Sequence, residues 1–163
     1  MHKQVMTVTG PAPAGKLGII LPHEHVFINL VNKFHEPEGA EKKALSRAKI
    51  SLANYGHLRR NPYAIRENLV MDDLELAANE LNYFGKLGGR TVVDCTSIGI
   101  GRAPEKLRAA AERTGLKIVA GCGYYTQDTH PQDMGKRTGA EIAAEMVRDL
   151  TEGIGNTGVR AGV

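Results

Sequence analysis

Apolar residues gather in short runs separated by stretches in which they recur at helical spacing. The first run, Leu17-Gly18-Ile19-Ile20-Leu21-Pro22, predicts a strand that delivers His23-Glu24-His25 at its end. Thr91-Val92-Val93-Asp94, Leu116-Lys117-Ile118-Val119-Ala120 and Val159-Arg160-Ala161-Gly162-Val163 read as further buried strands. Leu74, Ala77, Ala78, Leu81 and Leu87 mark a helix with Asp72 as its cap and Glu75 three positions on, stopped by Gly88-Gly89. Leu107, Ala110 and Ala111 mark a second, opened by Pro104 and ended by Gly115. A Thr138/Glu141 capping box introduces a third, with Ile142, Met146, Val147 and Leu150 as its stripe. Asn29 to Leu69 has mixed polarity and reads as an extended loop with a helical insert near Ala40 to Leu52.

Strand, long loop, helix, strand, helix, strand, helix, strand is an α/β order, and it predicts a parallel sheet with right-handed crossovers. An open doubly wound sheet and a (β/α)8 barrel both accommodate it. The turn after the first strand lacks the G-x-G-x-x-G of a dinucleotide site, which removes the main support for the open sheet. A barrel instead places functional groups at the C-terminal ends of its strands, where His23, His25, Asp94 and Tyr124-Tyr125 fall. A complete barrel takes typically ~250 residues. The expectation for these 163 residues is therefore one unit, the N-terminal half of a barrel with about four parallel strands, breaking off within the fourth.

The chemistry starts with His23 and His25. In extended backbone, side chains two apart share a face, so both imidazoles point one way and Glu24 the other. Two imidazoles on one side of a strand end can share a metal, although a His-x-His pair alone also fits a surface or core pair. His35, His57 and His130 lack ligand spacing and read as loop histidines.

Composition narrows the partners. A net charge of +3 and 24% charged residues give little support for nucleic acid or a membrane surface. The basic residues of Glu41–Lys49 and Arg59-Arg60 lack interleaved aromatics and read as a solvated helix face. Early apolar runs are too short for a signal segment or a membrane span, so a cytoplasmic location is expected. Cys95 and Cys122 do not make a disulfide framework and are expected to be reduced and mostly buried.

Gly10-Pro11, Leu17-Gly18 and Pro22-His23-Glu24-His25-Val26 resemble the start of the phosphotriesterase family, including its lactonases, in the amidohydrolase superfamily. Gly88–Thr96, Ile98–Arg102, Thr114–Leu116, Val119–Tyr125 and Gly158–Gly162 resemble later segments of that family, in family order. The resemblance implies a barrel hydrolase carrying two divalent metals, usually zinc-like, with His23 and His25 on the more buried one. It also implies a bridging carboxylated Lys or Glu, two further His and an Asp, none of which falls within this sequence. The implied reaction is attack by a metal-bridging hydroxide on a small-molecule ester. A lactone or carboxylic ester is preferred over a phosphotriester.

Tyr125 matches the position of an aromatic that lines the substrate pocket, with Tyr124 as its alternative, and Ile100 matches an apolar pocket wall. Asp94 is either an acceptor that orients a metal ligand or a cap or loop anchor. Arg102 matches a family arginine and reads as a structural donor, while Ala103 replaces the Asp that commonly follows it in the family. A metal-dependent nuclease or deaminase of the same superfamily shares the His-x-His but not the Gly99–Arg102 and Gly121–Tyr125 matches. The non-enzymatic alternative is an inactive fragment, or a half-barrel that needs a partner chain or pairs with a second copy through its open edge.

Overall fold

A computed structural model describes residues 3–163. In chain order its elements are β1 (Gln4–Thr7), β2 (Gly10–Pro13), β3 (Ile19–Glu24), β4 (Ile28–Asn29), α1 (Ala40–Ser46) and α2 (Tyr55–Arg60). They are followed by β5 (Val70–Met71), α3 (Leu74–Lys86), β6 (Gly89–Asp94), α4 (Pro104–Thr114), β7 (Lys117–Ala120) and α5 (Gly139–Thr151). β3, β6 and β7 form a parallel sheet in that spatial order, which is also their chain order. The run Val159–Val163 is extended but forms no named strand. It lies beside the end of β7, with the Gly162 N–H donating to the Ala120 carbonyl at 2.9 Å and the Cys122 N–H to the Val163 carbonyl at 2.9 Å.

Chain order preserved across the sheet decides between the two architectures. Successive right-handed crossovers that always step the same way put every helix on one face, whereas a doubly wound sheet reverses direction. The arrangement is the N-terminal half of a (β/α)8 barrel. Leu107, Ala110 and Ala111 of α4 pack with Leu81 of α3 against Val92 and Ile118 of the sheet. Truncating so enclosed a residue as Leu107 to Ala costs about 2–5 kcal/mol.

Several local expectations need correction. Asp73, not Asp72, caps α3: its Oδ1 accepts the N–H of Glu75 at 2.8 Å and of Leu76 at 3.0 Å, while the Asp72 carboxylate pairs with Lys106. Leu87 lies past the end of α3 and is 85% exposed. The helix foreseen over Ala40 to Leu52 stops at Ser46, whose hydroxyl donates to the Lys43 carbonyl at 2.9 Å and competes with continued helix. Beyond it the chain turns around Glu67, which accepts from the Lys49 ammonium at 2.6 Å and the Ile50 N–H at 2.7 Å, and then forms α2.

Two pairings were not foreseen at all. β1 and β2 make a hairpin whose Val8 N–H donates to the Ile118 carbonyl at 2.8 Å, and β4 pairs with β5 to close the base of the long loop. The Thr138/Glu141 capping box and the Pro104 start and left-handed Gly115 end of α4 form as the sequence predicts. Among the described residues no helix is long and apolar enough to cross a membrane.

Candidate active site

β3 is an edge strand among the described residues, and its ladder with β6 shifts register twice, between Ile19 and Ile20 and again between Leu21 and Glu24. Pro22 has no N–H to donate, and register is regained at Glu24, opposite Asp94. His23 lies within this irregularity and His25 just past it. Their rings stand edge to face, 76° apart in plane, with centroids 5.5 Å apart, so both imidazoles occupy the same region of the barrel mouth. His23 is exposed and His25 half-buried.

The surroundings of His25 are built by the turn after β6. Asp94 is buried and divides its carboxylate between two backbones, Oδ2 accepting the Val26 N–H at 2.7 Å and Oδ1 the Thr96 N–H at 3.0 Å. Burial pushes the Asp94 carboxyl above its ordinary value, against the opposing pull of those two donors. Both Asp94 oxygens accept from backbone N–H groups, and among the described residues neither makes a hydrogen bond to a histidine. The group that touches His25 is the Thr96 hydroxyl, 2.9 Å from Nδ1. Sequence reasoning missed Thr96, because nothing in its spacing links it to a histidine 71 positions away.

The other candidates spread around the mouth. Tyr125 is 53% exposed, with the Lys33 ammonium 5.6 Å from its ring centroid. Tyr124 is tied down instead: its hydroxyl donates to Glu145 Oε1 at 2.8 Å and accepts from Arg137. Ile100 is 1% exposed and helps anchor its loop through its carbonyl, which accepts the Asn29 N–H at 2.8 Å. Arg102 is a structural donor, its Nη1 lying 2.6 Å from Oδ2 of the buried Asp149 on α5. The loops after β6 and β7 are joined where the Ile98 N–H donates to the Gly123 carbonyl at 3.1 Å.

His130 contacts the Tyr125 carbonyl at 3.0 Å through Nε2. His35 and His57 line a separate cavity of about 420 Å³ in the long loop, with Lys42 and Arg60. Glu24 and His25 both border an apolar cavity of about 310 Å³ between β3 and α3. Cys95 and Cys122 are free, half-buried thiols, and burial pushes both above the ordinary thiol value.

The donor set fits part of a metal shell. Among the described residues no group of three or more His, Cys, Asp or Glu side chains converges on one point. Among the described residues His23 and His25 offer neighbouring imidazole nitrogens, a pair that by itself fits part of a metal shell and does not complete one.

Comparison with known proteins agrees with this geometry. The sequence profile of the Phosphotriesterase family matches residues 3–163. The N-acetyltaurine hydrolase of Danio rerio is 34% identical over 164 residues, covering 100% of this chain and 47% of that protein. The N-acetyltaurine hydrolase of Rattus norvegicus is 32% identical over 161 residues, covering 98% of this chain and 46% of its own length. The chain thus spans about half the length of the curated relatives it matches. A resiniferatoxin-binding protein from Rhodobacter sphaeroides superposes with a TM-score of 0.94 at 38% identity, over 98% of this chain and 45% of that one. An organophosphorus hydrolase from Deinococcus radiodurans gives 0.67 at 29% identity, over 99% of this chain and 42% of that one. With the histidine pair at the mouth of a half-barrel and a family match along its described length, the chain belongs to the phosphotriesterase family.

Proposed function

We propose that the complete protein is a metal-dependent hydrolase of small-molecule esters, with a lactone or carboxylic ester as its main substrate and a phosphotriester as a secondary one. One observation carries this reading: His23 and His25 stand together at the mouth end of β3, in a chain whose relatives include hydrolases. The N-acetyltaurine hydrolases favour a second reading, a carboxamide substrate, which needs the same attack on an acyl carbon.

His23 and His25 would hold one of two divalent ions, most simply zinc. Bound divalent metal supplies an activated water near neutral pH and a Lewis acid for the scissile carbonyl or phosphoryl group. The Asp94 carboxylate fixes the backbone beside His25 and the turn carrying Thr96, so the imidazole is oriented before any ligand arrives. Tyr125, exposed at the mouth, would donate a hydrogen bond from its phenol O–H to a substrate carbonyl oxygen. Ile100 acts from inside, by setting the shape of the loop between β6 and α4.

The test is hydrolysis of lactone, ester, phosphotriester and N-acyl amide substrates by the complete protein, before and after chelation. His23→Asn and His25→Asn should each lower bound zinc and reduce kcat/KM by more than the ~10–100-fold that loss of a ligand's outer-shell partner costs. Full activity after exhaustive chelation would exclude the metal reading. The 163-residue chain by itself should have no measurable hydrolase activity, because two imidazoles do not complete a site.

A further inference from the structure

We propose that Thr96 is a positioning residue that fixes the tautomer of His25, holding the proton on Nδ1 and leaving the Nε2 lone pair free for a metal. The argument rests on counting protons at one hydroxyl. Thr96 Oγ1 lies 3.0 Å from the Phe27 carbonyl oxygen and 2.9 Å from His25 Nδ1. A carbonyl oxygen only accepts, and a hydroxyl has a single proton to give. With that proton given to Phe27, the hydroxyl can only accept from His25. Neutral His25 therefore carries its proton on Nδ1, and its other nitrogen is the basic one.

The hydroxyl is itself immobilised. Thr96 is 1% exposed, and its N–H donates to Asp94 Oδ1 while Oδ2 of the same carboxylate accepts the N–H of Val26, the residue after His25. One buried carboxylate thus fixes both the backbone that carries the imidazole and the turn that carries its hydrogen-bond partner. A threonine here adds a branched Cβ that restricts rotation of the hydroxyl. The next hydroxyl along the chain behaves differently, Ser97 Oγ being buried with no partner. In a metal site, a ligating histidine is commonly oriented by a carboxylate, a carbonyl or water; here a threonine relays the orientation from the Phe27 carbonyl.

This inference rests on the reading of His25 as a ligand, and its test separates the two. The full chain, labelled with 15N-histidine and stripped of metal, should show His25 protonated at Nδ1, with the resonance assigned by its loss in His25→Asn. Protonation at Nε2, or rapid exchange between the two forms, would overturn the proposal without any variant of Thr96. Thr96→Ser keeps the hydroxyl and should keep the Nδ1–H form. Thr96→Val, with folding checked by circular dichroism, should lose it and weaken zinc binding by about 10–100-fold. A Thr96→Val chain that retains both the tautomer and the zinc affinity would overturn the proposal. A wild-type chain in the Nδ1–H form whose Nε2 does not respond to added zinc would overturn the ligand reading, and with it the role assigned to Thr96.

Discussion

Gly99 holds a φ of +90°, and a Cβ there would stand 1.9 Å from the Thr129 carbonyl oxygen. Both the backbone conformation and the space forbid a side chain, so Gly99→Ala must move the loop after β6 or the segment around Thr129. The expected cost is about 2 kcal/mol or more, measured as a shift in the urea midpoint of the full chain. Wild-type stability in that variant would show that the loop is not held there. Residues differ in how much of their role is visible in sequence. His23 and His25 announce themselves by spacing, because strand geometry alone puts them on one side. Asp94 stands out by its place at a strand end but its partners do not, and Thr96 does not stand out at all, because what both do depends on the turns after β3 and β6 lying side by side.

The Arg102–Asp149 and Lys33–Asp128 ion pairs each join a loop at the mouth to another element, and they differ in exposure. Arg102, in the loop after β6, reaches the buried Asp149 of α5. Arg102→Met would leave that carboxylate without its partner, a loss worth about 3–5 kcal/mol, read from denaturant unfolding. A loss no larger than that of a surface substitution would mean water replaces the guanidinium. Lys33, in the long loop, donates to Asp128 at 2.6 Å and ties that loop to the one carrying Tyr125. Its ammonium, followed by the Thr126 hydroxyl, holds the Asp128 carboxyl below its ordinary value of 3.8.

A depressed folded pKa contributes stability above the unfolded value, and that stability is lost as pH falls through the folded value. The tie between the loops should therefore persist at pH 4 and release only at lower pH. NMR titration of Asp128 checks this, and Lys33→Met should bring its midpoint back up. Helices α3, α4 and α5 were legible because amphipathic spacing is a local property of the chain, as are the Gly115 end of α4 and the capping box of α5, while the cap of α3 falls one residue later than its spacing suggested. The early end of α1 and the pairing of β4 with β5 were not, since each depends on hydrogen bonds that compete with or lie outside local periodicity.

Across the whole molecule, the sheet is covered on its helical face and open along β3. Ile19 is 60% and Ile20 39% exposed on that edge strand. An unpaired, apolar strand edge is a template for another chain. The 163-residue chain should accordingly self-associate with rising concentration in sedimentation velocity, and Ile20→Lys on the same strand should reduce the associated fraction. A strictly monomeric chain at high concentration would show that this edge is protected. The amino-acid sequence by itself determined the alternation of strands and helices, the Pro104 start and Gly115 end of α4, the capping box of α5, and the histidine pair, because each depends on neighbours within a few residues. Only the tertiary structure decided that the strands lie in chain order, that Asp94 anchors two turns, and that Thr96 meets His25. Those outcomes require segments about 70 positions apart to be brought within hydrogen-bonding distance, and no local pattern encodes which atoms will then face one another.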